Sequence, residues 1–140
     1  YLKKPNLYLN KKIKKLNSKL REFKKNQFFF TILLSGNKEI KDLNKKFRKK
    51  NKVTDVLSFP FHTKKELKKK LKKVREVYLG DIIININRIK SKKIKKNFNR
   101  EFDQLWIHGL IHLFGHDHKK DNDFKIMKKI EIKYLNFVND

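Results

Sequence analysis

The sequence predicts an α+β fold, organised as one small domain over residues 1–140. Leu, Ile, Val and Phe make up about a third of the chain, which is enough to bury a core. Short apolar runs typical of strands are followed by segments whose apolar residues recur every three or four positions, as on one face of a helix. We therefore expect a short mixed sheet of about four strands packed with about five helices.

The N-terminal half is predicted to hold two helices around a buried strand. Apolar positions recur at helical spacing over residues 10–25, at Ile13, Leu16, Leu20 and Phe23. Residues 28–34 form an aromatic and aliphatic run that suits a buried strand. Asn37 follows a turn and is expected to cap a second helix, marked by Ile40, Leu43 and Phe47.

The C-terminal half is predicted to add two strands and several helices. In order, we expect a strand at 53–61 that ends near Pro60, a Lys-rich connector at 63–75, a strand at 79–86, a helix capped by Asn87 that runs to residue 94, and helices near 100–114 and 121–136. Gly115 is a natural stop for the first of the last two helices. The aromatic residues expected in the core are Phe59, Phe61, Trp106 and Phe114.

The charge, the cysteine content and the apolar stretches of the chain limit the classes of function it can have. The formal net charge of +25 attracts polyanions such as RNA. However, 34 of the 39 basic residues are Lys and Ala is absent, so part of this charge reflects a drift toward AT-rich codons. The absence of Cys excludes disulfides, Cys-ligated zinc and a thiol nucleophile. No apolar stretch approaches the ~20 residues of a membrane span, and the basic N-terminus lacks a signal-peptide core, so we expect a cytoplasmic protein.

Histidines form the clearest candidate site, because four of the five lie between residues 108 and 118. His108 and His112 are four residues apart, so on a helix both imidazoles lie on one face and can reach one divalent metal ion. Gly115 lets the chain turn back, and either His116 or His118 could then supply a third ligand. Three imidazoles with an open fourth position form a catalytic zinc site, whereas a chance cluster of surface histidines is the plainer interpretation.

The residue after the first histidine separates two kinds of hydrolase. Zincin proteases carry a Glu there as the general base, on a helix that bears the metal-binding histidines. This chain has Gly109 at that position. The helix is thus zincin-like in its histidines, but the missing base argues against proteolysis.

Residues 108–118 resemble the motif of the YbeY family of bacterial metal-dependent endoribonucleases, His-Gly-x-Leu-His-Leu-x-Gly-Tyr-Asp-His. Only Ile111 and His116 depart from that motif. Residues 54–60 and 79–82 are similar to two strands of the family, and residues 43–48 resemble its helix that ends in Tyr-Arg, with Phe47 in place of Tyr. The resemblance implies that His108, His112 and His118 bind one Zn²⁺ per chain, with His116 as a neighbour that could compete.

The resemblance also implies a catalytic role for Arg48, and the positions of other residues in the sequence make them further candidates. Arg48 and His108 would be catalytic, with the Arg48 guanidinium binding the scissile phosphate. Thr54, Asp55 and Ser58 are candidate substrate contacts, although strand alternation puts Asp55 on the opposite face from the other two. Asp117 and His116 are candidates for supporting the metal ligands through hydrogen bonds.

The function implied is metal-dependent, single-strand-specific endoribonuclease activity. It would act in rRNA maturation, at the 3′ end of small-subunit rRNA, and in ribosome quality control, with RNA and the small ribosomal subunit as partners and no specificity for DNA. The nucleophile could be water or the RNA 2′-hydroxyl. The alternatives are a non-catalytic basic RNA- or ribosome-binding module with a structural metal, and another zinc metallohydrolase.

Overall fold

The computed structural model describes residues 5–20, 25–90, 95–117 and 120–139. Its elements, in chain order, are α1 (Pro5–Lys19), β1 (Gln27–Ser35), α2 (Asn37–Arg48), β2 (Val56–Pro60), α3 (Lys64–Lys73), β3 (Glu76–Asn85), a single 3-10 turn (Ile86–Arg88), α4 (Lys95–Leu113) and α5 (Asp121–Asn139). None of the described helices is long and apolar enough to cross a membrane.

The sheet is mixed, as predicted, but it has three strands rather than about four within the described ranges. The strand order is β1-β3-β2, with β1 parallel to β3 and β2 antiparallel to it. The expected number was wrong because the described segments outside the three apolar runs are helical or irregular. The central strand, β3, is consequently the most buried of the three, with seven of its ten residues buried.

Further segments differ from their predictions. Helix α1 is Pro5–Lys19 rather than 10–25, and the predicted Phe23 lies outside the described residues. The Lys-rich connector contains α3, where Thr63 accepts a hydrogen bond from the Glu66 amide at 3.2 Å and Leu67 is buried. The helix expected from Asn87 is only one 3-10 turn, and residues 91–94 lie outside the described part of the chain. Asn87 instead accepts a hydrogen bond from the amide of Asn37, so it caps α2 from outside, whereas Asn37 was expected to be the cap.

Helices cover the two faces of the sheet unequally. The main core lies between the sheet and α1, α4 and α5, and it includes the fully buried Trp106 and Leu110. On the other face, α2 covers a small cluster formed by Ile40, Leu57 and Ile83. This face stays partly open, and Phe61 is 63% exposed there rather than buried as expected.

A buried carboxylate fastens α1 to α4. Asp103, which is 1% exposed, accepts hydrogen bonds from the Tyr8 hydroxyl and the Trp106 indole, each at 2.9 Å, and from the Lys12 ammonium. A buried charge is stable only when it is paired and hydrogen-bonded, and here three donors surround it. This cluster anchors α1 on the side of α4 that faces the core.

Candidate metal centre and cleft

Helix α4 brings the first two predicted ligands together. The Nε2 atoms of His108 and His112 are 3.2 Å apart, and their rings meet nearly at right angles with centroids 4.8 Å apart. Both side chains are partly buried and line one cleft of about 1150 Å³. The four-residue spacing on one helical turn accounts for this geometry, as the sequence predicted.

The outer nitrogens of the same rings have partners of their own. Nδ1 of His112 is 2.9 Å from the carbonyl oxygen of His116, which can only accept, so this nitrogen carries the proton. Nδ1 of His108 contacts a carboxylate oxygen of Glu131 on α5. Both contacts favour imidazoles that present the Nε2 lone pair to the cleft, which is the form that binds a metal.

The distance between the two Nε2 atoms suits a single tetrahedral zinc ion. Two nitrogens each about 2.0–2.1 Å from a tetrahedral metal are roughly 3.3–3.4 Å apart. The observed 3.2 Å lies close to that value. Two acceptor nitrogens facing each other repel unless a cation lies between them, so the residues present fit a divalent metal.

The third predicted ligand, His118, lies outside the described residues. Among the residues that are described, no group of three His, Cys, Asp or Glu side chains could hold a metal ion. The three-histidine set therefore stays a prediction, of which two members have a geometry that suits a metal.

The end of α4 positions the chain around these histidines. The amide of Gly115 donates to the His112 carbonyl at 2.9 Å, and the amide of His116 donates to the Ile111 carbonyl at 3.3 Å. These two bonds form a Schellman motif, which commonly needs a glycine because its backbone is left-handed. Gly115 has φ = 99°, as expected for the stop. The motif turns the His116 carbonyl back onto the His112 ring.

Gly109, the residue that replaces the protease base, has a packing role. A Cβ added there would lie 2.7 Å from Cγ2 of Ile82 and 3.1 Å from the Ser58 hydroxyl oxygen. Helix α4 thus packs against β2 and β3 too closely for any side chain at this position. The absence of a zincin-type Glu follows from this packing.

Arg48 is the last residue of α2 and lines the same cleft. Its guanidinium donates to the Ser58 carbonyl oxygen, and its Cζ lies 5.7 Å from the centroid of the Phe59 ring. A guanidinium has five N–H donors in a rigid fork, so these contacts orient the group and leave donors for an oxyanion. Four lysines also line the cleft: Lys50, Lys52, Lys64 and Lys128.

The candidate substrate contacts differ in their surroundings, although all three line the cleft. Thr54 and Asp55 precede β2, which begins at Val56, so they were wrongly placed on the strand. The Asp55 carboxylate is exposed and lies 3.9 Å from Arg88. Ser58 is 5% exposed, and its hydroxyl donates to the Gly109 carbonyl at 3.1 Å. The Ser58 side chain therefore holds β2 against α4.

His116, the last residue of the Schellman motif, and Asp117, which follows it, both line the cleft. The support that His116 gives to His112 comes from its backbone carbonyl rather than its ring. Burial lowers the pKa of the His116 imidazole, and the nearby Lys64 charge lowers it further. Asp117 is exposed, and its predicted role as a support for the ligands stays a prediction.

Glu131 is a site residue that the sequence analysis missed. It lies on α5 between the buried Met127 and Tyr134, which are at helical spacing from it. A carboxylate on the buried face of a Lys-rich helix needs a partner, and here the partner is His108. The position of Glu131 among apolar residues at helical spacing was therefore the sequence feature that could have identified it as a site residue.

Comparison with known proteins supports the family resemblance that the histidine motif indicated. The family model described as Endoribonuclease YbeY matches residues 4–139. The Endoribonuclease YbeY of Mycoplasma mycoides subsp. mycoides SC is 44% identical over 63 residues, which cover 44% of this chain and 38% of that protein. The Endoribonuclease YbeY of Thermodesulfovibrio yellowstonii is 39% identical over 62 residues, covering 42% and 39%. The chain thus spans about two fifths of the length of these curated relatives.

A solved structure extends the similarity to the fold. The solution structure of TM1509 from Thermotoga maritima covers 97% of this chain, and 83% of that protein is matched. The TM-score is 0.59 at 28% sequence identity. Because the family model extends over nearly the whole sequence and His108 and His112 of the histidine motif line the cleft, this chain belongs to the Endoribonuclease YbeY family.

Proposed function

We propose that this protein is a zinc-dependent endoribonuclease that cleaves single-stranded RNA in the cleft between α2, β2, α4 and α5. The observation that carries the proposal is the pair of Nε2 atoms 3.2 Å apart in a cleft that Arg48 also lines. A cation site beside an oriented guanidinium is suited to a phosphodiester, whose charge increases as the bond breaks.

His108, His112 and His118 are proposed to hold the metal, which when bound supplies a Lewis acid for a phosphoryl oxygen and lowers the pKa of a water. Glu131 and the His116 carbonyl keep two of these rings in the tautomer that presents Nε2. Ring orientation therefore does not have to be established when the metal binds. His108 is catalytic in this proposal only through that ligand role.

Arg48 is proposed to bind the non-bridging oxygens of the scissile phosphate. The Ser58 carbonyl and the Phe59 ring hold its guanidinium in place, so little side-chain entropy is lost when a phosphate binds. Thr54 and Asp55, which also line the cleft, are the remaining candidates for contacts with the sugar. The cleft lysines add attraction that depends on salt and not on sequence.

Either water or the RNA 2′-hydroxyl can be the nucleophile in this arrangement, and the product ends distinguish them. Attack by the 2′-hydroxyl leaves a 2′,3′-cyclic phosphate, whereas attack by water leaves a terminal phosphate monoester. Mass spectrometry of the cleaved fragments distinguishes these two products by their mass.

Action on rRNA, at the 3′ end of small-subunit rRNA, and in ribosome quality control is part of the same proposal. Its support is the family membership and the basic surface. The expected cytoplasmic location, the single domain over residues 1–140 and the lack of DNA specificity stay predictions.

Metal content and RNA cleavage, measured together, test the proposal. The protein purified without chelators should contain about one zinc per chain by elemental mass spectrometry, and His112→Ala should lose it. The wild type should cleave a labelled single-stranded RNA but not its duplex. Arg48→Ala and Arg48→Lys should both lose at least about 100-fold in rate, because a lysine cannot form the bidentate contact.

Arg100→Ala is the matched control, since Arg100 is exposed on α4 outside the cleft lining. This variant should cleave at the wild-type rate. Zinc bound without any RNA cleavage would overturn the enzyme and favour the binding module with a structural metal. Cleavage of a protein substrate instead of RNA would favour the metalloprotease, the alternative that Gly109 argues against.

A further inference from the structure

The face of the sheet that α2 covers only in part carries a row of aromatic side chains. Ser58 points toward α4, so alternation along β2 turns Phe59 and Phe61 to the opposite face. Phe61 continues the pairing beyond the end of β2, since its amide donates to the Leu79 carbonyl at 2.9 Å. Its ring is 4.8 Å from that of Tyr78 on β3.

The row extends on both sides of β2. Phe29 on β1 pairs in register with Tyr78, while its neighbours Phe28 and Phe30 contact Phe114, just after α4, and Trp106 of α4 on the other face. At the opposite end, the Phe47 ring of α2 is 5.5 Å from that of Phe59. We define the aromatic row as Phe29, Phe47, Phe59, Phe61 and Tyr78.

Three members of this row are largely exposed. Phe29 is 48%, Phe47 58% and Phe61 63% exposed to solvent. The two closest pairs are edge-to-face, which leaves ring faces open rather than stacked on each other. Aromatic side chains gathered on one exposed sheet face usually mark a binding surface.

Charge favours RNA over an apolar protein partner. The Lys46 ammonium lies 5.3 Å from the Phe47 centroid, and the Arg48 guanidinium lies 5.7 Å from the Phe59 centroid. Aromatic rings beside cations are typical of surfaces that bind unpaired nucleotides, because bases stack on the rings while phosphates meet the cations. The net charge of +25 has the sign that this partner requires.

Arg48 also connects the row to the cleft. It is the residue proposed to bind the scissile phosphate, and its guanidinium lies against the first ring of the row at β2. An RNA strand with a phosphate at Arg48 therefore reaches Phe59 and Phe47 with the adjoining nucleotides. Asp81 is one of the acidic groups near this face, and it accepts a hydrogen bond from the Tyr78 hydroxyl at 2.6 Å.

We propose that the aromatic row is a base-stacking surface for the unpaired nucleotides that flank the cleaved bond. This inference rests on the proposed function for the position of the scissile phosphate. Duplex RNA cannot present its bases to the rings, so the row selects single strands.

The test is RNA binding by fluorescence anisotropy in chelator, where no metal-dependent cleavage occurs. Phe47→Leu and Phe61→Leu keep an apolar side chain but remove the ring, and each should raise the Kd for a single-stranded 12-mer about tenfold. Phe124→Leu is the matched control, because Phe124 on α5 is 59% exposed and lies outside the row. A 12-mer with abasic sites at its central positions should bind the wild type and Phe47→Leu equally.

The outcomes separate this inference from the proposed function. Leucine variants that bind the 12-mer like the wild type would overturn the stacking surface, and a wild type that still cleaves RNA would leave the proposed function standing. Ring-dependent binding by a wild type that never cleaves RNA would support the surface and overturn the nuclease. Thermal unfolding of each variant confirms that the substitutions at these exposed sites leave the fold intact.

Discussion

At the scale of single residues, the contact between Glu131 and His108 is expected to set the affinity of the site for a metal ion. A carboxylate on Nδ1 raises the basicity of the ligand nitrogen and fixes the ring. Glu131→Gln keeps an oxygen at this position but removes the charge. We expect this variant to bind zinc about 10–100-fold more weakly, measured by competition with a fluorescent chelator.

Asp123→Asn is the control for that measurement, because it removes a carboxylate from the same helix outside the cleft lining. It should bind zinc like the wild type. Equal zinc affinity in Glu131→Gln and Asp123→Asn would mean that Glu131 does not tune the site.

The sequence predicted His108, His112 and a supporting role for His116, but it predicted neither Glu131 nor the atom through which His116 acts. His108 and His112 share a helix, and their spacing is a local property that the sequence reports directly. Glu131 is 23 positions from its partner and the supporting atom of His116 is a backbone carbonyl. Such contacts depend on how α5 packs and how α4 ends, and neither is apparent from the spacing of residues along the sequence.

At the scale of elements, close packing between α4 and the sheet positions the histidines. Gly109→Ala gains helix propensity of about 1 kcal/mol, but its methyl group would meet Ile82 at 2.7 Å. Overpacking costs about 1–3 kcal/mol, so we expect a net loss in the free energy of unfolding, measured with urea.

A double-mutant cycle identifies the cause of that loss. Ile82→Ala removes the atoms that the new methyl group meets, so the double variant should be more stable than the sum of the single losses predicts, by at least about 0.5 kcal/mol. Additive losses would show that the close approach to Ile82 is not what excludes a side chain at residue 109.

The attachment of α1 to α4 predicts a response to alkaline pH. Burial raises the pKa of the Tyr8 hydroxyl, and the Asp103 carboxylate raises it further. The folded state thus favours neutral Tyr8, and this contribution is complete below the unfolded pKa of about 10. It is lost as the pH rises above 10 toward the folded value, by at most about 1.4 kcal/mol per pH unit.

Tyr8→Phe tests that response in urea unfolding between pH 9 and 11. Its stability should fall less steeply above pH 10 than that of the wild type, since it has no phenol to ionise on unfolding. Lysine deprotonation affects both proteins and cancels in the comparison. Identical slopes would contradict the role of Tyr8 as a proton-bearing anchor.

Elements were predictable where periodicity was strong. The three apolar runs became strands, and the final two helices were recognised from their spacing. The Lys-rich segment was not, because α3 buries only Leu67 and thus has almost no apolar face to detect. The turn at Ile86–Arg88 was predicted as the start of a longer helix, because Asn is a residue type that often caps helices. The Asn87 side chain instead caps α2, which begins 50 residues earlier.

At the scale of the whole molecule, charge makes opposite predictions for folding and for binding. A chain of 140 residues with a net charge of +25 repels itself in the folded state. Raising salt shortens the Debye length from about 30 Å at 0.01 M to about 8 Å at 0.15 M, so it screens this repulsion. We expect thermal stability to rise over that range.

The affinity for single-stranded RNA should fall over the same salt range. Each phosphate that a lysine or arginine neutralises releases counterions, and log K should fall with log salt at about −0.7 per phosphate. Measured on one preparation, the melting temperature and the RNA affinity should therefore move in opposite directions. Potassium fluoride and sodium chloride at equal ionic strength should act alike if screening is the cause. An RNA affinity that is insensitive to salt would instead mean that the lysines are solvated faces that reflect codon drift, and that base stacking and the Arg48 contact carry the binding.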